Sequence, residues 1–359
     1  MSPKSTPYLH ALYVHWPYCL SKCPYCDFAS CVNKNIDEDV LFQGYLRDLK
    51  QFQTTKPITS IFFGGGTPSL MSPQLFDKLM NTIQKYYALA PDCEISVEAN
   101  PDAITKEKML FFKKSGINRL SVGVQSLNKK ALQFLGRKHS IQTAIKIIQT
   151  AQEIFNNINM DLIYARPHQK LKDWENELQK ALSFQLPHYS LYQLTIEPNT
   201  VFGHQHMILP SEIQMRKMYS LTDEIMNNAK CPAYEVSNYA QKGFECRHNM
   251  AYWLGCDYIG IGPAAHGRIG LNATQNKASV SLWLKTPTQI EKLTEEQREL
   301  EKLLMGLRLR NIPYPIKNLD PNGLKKALQQ NWITLNKTGI LPTLDGILML
   351  NKLVLLLAP

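Results

Sequence analysis

The sequence predicts an α/β chain: a partial (β/α)6 barrel followed by a C-terminal winged-helix-like α+β domain. Three observations carry this expectation. Six short β-branched or aromatic runs alternate with stretches of helical apolar spacing. The alternation stops after Pro198. From Glu291 the pattern changes to helix, helix and a small hairpin.

The strand-like runs are Leu12–His15, Ile58–Phe63, Glu94–Glu98, Arg119–Gln125, Asn159–Tyr164 and His188–Leu194. Between them, Leu75–Tyr87, Lys106–Lys114 and Ile141–Phe155 place apolar residues at helical intervals. Six such units in one run of chain point to parallel βαβ crossovers, with a doubly wound open sheet as the alternative. Residues 199–290 mix loops, glycines and one long helical stretch, Glu212–Ala229, and are expected to complete the barrel. The third region, residues 291–359, opens with a helical run from Glu291. It continues with a helix at Gly323–Asn331, a strand at Trp332–Leu335, a turn at Asn336–Gly339 and a final apolar helix.

Composition narrows the class. Hydrophobic residues are 44% and charged residues 19% of 359, enough for a sizeable core and against disorder. Forty Lys+Arg over thirty Asp+Glu give +10, but the excess is scattered, so no nucleic-acid partner is expected from it. Residues Met1 to His15 lack the apolar stretch of a signal peptide. The tail Ile347–Pro359 is broken by Asn351-Lys352, and no run reaches the roughly 18 residues of a spanning helix. The expectation is a cytoplasmic chain. Eight cysteines are too few for a disulfide scaffold, and three of them crowd into eight positions, which points to metal or redox chemistry.

Those three follow the first strand as Cys19-Leu-Ser-Lys-Cys23-Pro-Tyr-Cys26, a C-x3-C-x2-C loop. Three thiolates on one short loop suit three irons of a [4Fe–4S] cube and leave the fourth iron to an exchangeable ligand. Zinc with His15 as fourth ligand is the competing assignment. Gly64-Gly65-Gly66-Thr67-Pro68 after the second strand lets the backbone approach a ligand closely, although the P-loop spacing is absent.

The stretch from Tyr13-Val-His15-Trp to Tyr25-Cys26-Asp27-Phe28 resembles the radical S-adenosylmethionine (SAM) superfamily. It is similar to the branch of oxygen-independent coproporphyrinogen III oxidases (dehydrogenases) and of heme chaperones of the HemW type. The resemblance implies that Cys19, Cys23 and Cys26 bind the cluster and that SAM chelates the open iron, where reductive cleavage can yield a 5′-deoxyadenosyl radical. It implies SAM contacts from Tyr13, Tyr25, Gly65, Gly66, Thr67, Glu98, Gln125, Arg137 and Asp161. A carboxylate accepts ribose hydroxyls, and a guanidinium pairs with the SAM carboxylate. One departure stands out. The fifth strand continues Ala165-Arg166-Pro167-His168, where the family usually has a Gly-Leu-Pro-Gly type turn.

Within the branch, Phe28 stands where the dehydrogenases carry a further cysteine, and Tyr13 already stands near the start, without their extension of some fifty residues. The element His248-Asn249-Met-Ala-Tyr252-Trp253 and the segment Gln193–Thr200 resemble the chaperone signature. The resemblance therefore implies heme as ligand, a heme-acceptor protein as partner, and His248 among the heme-facing residues. A chaperone is expected rather than a dehydrogenase, with peripheral membrane association and a homodimer as further expectations. Residues 258–290 contain no acid but hold Arg268, Lys277 and Lys285, which suits propionates. His204, His206, His266 and Cys231-Pro232 are lesser candidates. Gly260–Ala265 mimics a dinucleotide fingerprint without the later acid, so a turn near the SAM adenine is expected instead of NAD binding.

Overall fold

The computed structural model describes residues 9–33, 35–317 and 319–359. Residues 1–8, part of the Met1–His15 stretch considered above, lie outside them. All six expected strands form: β1 (Ala11–Trp16), β2 (Ile58–Gly65), β3 (Leu89–Ala99), β4 (Arg119–Gln125), β5 (Asn157–Tyr164) and β6 (His188–Gln193). They lie side by side in chain order and every neighbouring pair is parallel. A doubly wound sheet reverses direction at its first strand; this one steps one way throughout, which curls it into a partial barrel.

The intervening helices are α1 (Glu38–Gln51), α2 (Pro73–Tyr86), α3 (Lys106–Lys114), α4 (Lys129–Phe134), α5 (Ile141–Ile154) and α6 (Leu171–Leu182). Their starts are set locally. Asp37, Ser72, Thr105, Asn128 and Ser140 each accept a hydrogen bond from a backbone N–H of the first turn. Their apolar faces bury Phe76, Phe112 and Trp174 in one core with Phe63 and Val122 of the sheet.

Beyond β6 come α7 (Glu212–Asn228), the short β7 (Asn238–Ala240) antiparallel to β6, and α8 (Arg247–Trp253). The next strand, β8 (Tyr258–Ile261), returns to pair in parallel with β1. It extends the parallel run to seven strands, a pairing that no local pattern announces. Strands β9 (His266–Ile269), β10 (Asn272–Gln275) and β11 (Gln289–Lys292), with α9 (Val280–Lys285) before the last, add an antiparallel edge.

The helical run expected from Glu291 needs correcting. Glu291 and Lys292 belong to β11, and the helix α10 (Glu295–Gly306) starts later, where Thr294 and Gln297 close a capping box. The tail then follows the winged-helix outline with α11 (Pro321–Gln329) and the hairpin β12 (Ile333–Leu335) and β13 (Ile340–Pro342). Asn336 Oδ1 closes the hairpin turn by accepting from the Thr338 and Gly339 N–H groups, both at 2.9 Å. The final apolar helix is two helices, α12 (Leu344–Leu348) and α13 (Leu350–Leu357). These elements share their own core around Leu307, Ile333, Ile340 and Leu353. The tail is tied to the barrel by an Arg310–Asp223 ion pair at 3.2 Å. Among the described residues, no helix is long and apolar enough to cross a membrane.

Candidate functional site in the barrel cavity

A cavity of about 480 Å³ opens inside the barrel, and all thirteen site residues singled out in the sequence line it. Its mouth is the cysteine loop. Tyr18–Cys19 and Cys31–Val32 pair as a small parallel clip, so the chain between them is held as a closed loop carrying Cys23 and Cys26. His15 pins the loop from below. Its Nε2–H donates to Ala29 O at 2.9 Å, and its Nδ1 accepts from Tyr13 OH at 3.0 Å. Both nitrogens are therefore engaged, so His15 positions the loop, and serving as a zinc ligand would require it to give up Ala29 or Tyr13. Burial lowers its pKa, in keeping with a neutral ring.

The thiols meet donors suited to thiolates. Thr67 Oγ1 donates to Cys19 Sγ and Arg137 Nη1 to Cys23 Sγ, both at 3.5 Å. Burial, reinforced by Cys23 and Cys19, pushes the Cys26 thiol up to about 11, so a metal bound there must displace a proton that the site holds tightly. Among the described residues no three His, Cys, Asp or Glu gather tightly enough for a single ion, whereas a cluster takes each thiolate on a separate iron. The donor set fits a [4Fe–4S] cluster.

Asn100 links the two donors and was missed in the sequence. Its Nδ2 donates to Thr67 Oγ1 at 2.9 Å and its Oδ1 accepts from Arg137 Nη2, so one hydrogen-bonded chain runs from Cys19 to Cys23. The only signal was its position two residues after Glu98, at the C-terminal end of β3. Arg137 also donates to Gly123 O at 3.0 Å. Burial opposes its charge, but neighbouring Tyr25 and Cys23 outweigh this and raise its pKa. Gly136, at φ +68°, lets the turn before Arg137 press on the cysteine loop: a Cβ there would lie 2.5 Å from Pro24.

On the glycine turn, Gly66 N donates to Trp16 O at 2.7 Å, and a Cβ at Gly66 would meet Tyr18 O at 2.5 Å. Gly65 N donates to Glu98 Oε2 at 3.2 Å. Burial, with Asp161 adding repulsion, pushes Glu98 up to about 8. Burial raises Asp161 as well, against the pull of hydrogen bonds from Asn159 and Ser121. Gln125 ends β4 with φ +64°, just past a register shift in the pairing with β5. Tyr25 packs its ring 6.4 Å from that of Phe202, and burial raises its hydroxyl pKa, as it does for Tyr13.

Helix α8 closes the deep end. His248 stacks on Phe62 at 5.0 Å between centroids; its Nε2 lies 3.0 Å from Tyr252 OH and its Nδ1 3.4 Å from Ser60 Oγ. Burial, then the Arg119 charge, lower its pKa to about 3. His248 is neutral, and both nitrogens have partners in this conformation.

Several expected residues lie elsewhere. Arg268 pairs with Glu301 at 2.8 Å, and His204, His206, His266, Lys277, Lys285 and Cys231 do not line the cavity. The Gly260–Ala265 turn does not reach it either: Gly262 N donates to buried Asp48, and a Cβ at Gly260 would lie 2.0 Å from His266 O. These glycines serve strand and helix packing.

The departure at Ala165–His168 also finds its explanation. Arg166 turns away from the cavity into the wall and pairs with Glu177, both side chains under 10% exposed. It also donates to Ser126 Oγ at 2.8 Å and Ile163 O at 3.1 Å. Ala165 and His168 adopt φ +56° and +60°, so the turn keeps the backbone shape of glycines without having them.

Residues 13–181 match the model of the radical SAM superfamily. The chain is 41% identical over 263 residues to heme chaperone HemW of Buchnera aphidicola subsp. Schizaphis graminum, covering 72% of this chain and 70% of that one. Identity to HemW of Haemophilus influenzae is 34% over 377 residues, covering 98% of each. In fold it is similar to coproporphyrinogen III oxidase (HemN) of Escherichia coli, with a TM-score of 0.81 over 97% of this chain and 90% of that one at 20% identity. The chain belongs to the HemW heme chaperone family of the radical SAM superfamily.

Proposed function

We propose that this protein is a heme chaperone that holds a [4Fe–4S] cluster and SAM, binds one heme and passes it to an acceptor protein. The observation that carries the reading is that a single cavity joins the three-cysteine loop to the His248-Asn249-Tyr252 element. When bound, the cluster supplies an iron with a position open to SAM. In this reading Cys19, Cys23 and Cys26 hold the cluster, and the Gly65-Gly66-Thr67 backbone receives the SAM amino group. Glu98 and Asp161 accept from the ribose, Arg137 pairs with the carboxylate, and Tyr13, Tyr25 and Gln125 shape the walls. His248, with Tyr252, faces the heme. Serving as its axial ligand requires a ring nitrogen to give up Tyr252 or Ser60.

The proposed division of labour gives residues 1–198 to cluster and SAM, 199–290 to the ligand and 291–359 to packing and partners. The acceptor, a membrane surface and a second copy of the chain are partners that this reading expects, in a cytoplasmic protein. Heme titration of the anaerobic protein, with and without reconstituted cluster, followed by mixing with an apo-acceptor, tests it. One bound heme that moves to the acceptor is the expected result. Failure to bind heme, or turnover of coproporphyrinogen with SAM and a reductant, would overturn it.

A further inference from the structure

Arg119 opens β4 at the deep end of the cavity and is 2% exposed, yet its guanidinium makes no hydrogen bond or ion pair to any described residue. Its Nε is enclosed without an acceptor. Nearby Glu94 and Asp161 offset the burial of its charge, but an enclosed donor without an acceptor still costs free energy.

The neighbouring acids attract it through space but give it no hydrogen bond. Glu94 Oε1 accepts from Arg247 N at 3.0 Å and from Cys246 Sγ at 3.5 Å, while Asp161 is engaged by Asn159 and Ser121. Burial shifts both acids toward their neutral forms. In the same register row, Ser96 on β3 and Asn157 on β5 flank Arg119, and Ser96 Oγ and Asn157 Oδ1 likewise lack partners. The rest of this end is rich in donors: Ser121, Asn159, Ser190, Asn249 and Tyr252 all line it. A fixed planar cation among neutral donors matches a carboxylate, which a guanidinium binds through two parallel hydrogen bonds.

We propose that Arg119 is a carboxylate anchor at the base of the cavity and receives one propionate of the heme cargo. This rests on the heme-chaperone reading, and it assigns Arg119 a role separate from that of Arg137, which lies at the mouth against the cysteine loop. The cargo would then be oriented from below by its acid edge, independently of any axial ligand.

The test compares heme with heme dimethyl ester, in which both propionates are neutral, on wild-type protein and on Arg119→Met. Spectroscopic titration should show the ester binding wild type about ten- to a hundredfold more weakly than heme, the range of one charge-assisted pair. Arg119→Met should bind heme and ester alike, and Arg119→Lys should fall between. Circular dichroism and SAM binding report whether the variants fold; should Arg119→Met fail to fold, Arg119→Lys, which keeps the charge but loses the planar fork, takes its place in the comparison. Equal affinity of wild type for heme and ester, as expected where water alone satisfies Arg119, would overturn the proposal while leaving the chaperone reading intact. If wild type binds neither, the chaperone reading fails and the anchor falls with it.

Discussion

The two ends of the cavity are built by opposite means. The mouth is assembled from loops: a clipped cysteine loop, a glycine turn, and residues such as Gln125 and Ala165 held at positive φ. Its thiols and acids are half satisfied, with pKa values displaced by burial. The base is regular strand and helix. There, His188 lies 2.6 Å from Asn159 and 3.0 Å from Tyr234, in a hydrogen-bonded network beside the unpartnered Arg119 Nε, Ser96 Oγ and Asn157 Oδ1. Strain and exposed chemistry collect where a ligand reacts or exchanges; regular hydrogen bonding collects where only shape and one charge are needed.

Four changes would break or sharpen this contrast. The largest effect is expected at the mouth: Cys23→Ala should abolish the visible iron–sulfur absorbance after anaerobic reconstitution, with far-ultraviolet circular dichroism unchanged. A full cluster in that variant would remove Cys23 from the ligand set. Next, Glu177→Ala strands Arg166 in the wall beside the mouth and should cost about 3–5 kcal/mol in urea unfolding.

Glu98 comes third. An acid whose folded pKa exceeds its unfolded value holds its proton more tightly when folded. Its contribution to stability is therefore fully present below about 4.5 and is lost as pH climbs toward about 8. Glu98→Gln should flatten this slope, gaining relative to wild type at pH 8 and not at pH 4; parallel stability curves would contradict the assigned burial. The smallest effect belongs to His168, exposed and at φ +60°. His168→Gly should raise stability by about 0.5–1 kcal/mol, read as a small rise in melting temperature.

Much of this was legible in one dimension. Arg119–Gln125 and Lys106–Lys114 form over the very residues that their periodicity marked, because alternation and helical spacing act within a few residues. The cysteine loop was legible for the same reason: three ligands within eight positions need no distant partner. Asn100 was not, since an asparagine at a strand end looks like any other until Thr67 and Arg137 are brought beside it. The late start of α10 shows a local signal outweighed by another, the Thr294–Gln297 box, with the residues before it drawn into an edge strand.

By itself, then, the sequence determined the six barrel strands and most of the helices between them, where the thiols cluster, and which polar side chains stand on or just after β2 to β5. Tertiary structure decided where each of those side chains points. It turned Arg166 outward to Glu177, set the Gly260–Ala265 turn against α1 and β9, and brought β8 beside β1. It also left Arg119 facing the cavity while its neighbouring acids found other donors. The physical reason is that periodicity assigns a residue to a face, whereas its partner comes from strands and helices far away in the chain, whose register only the packed core sets.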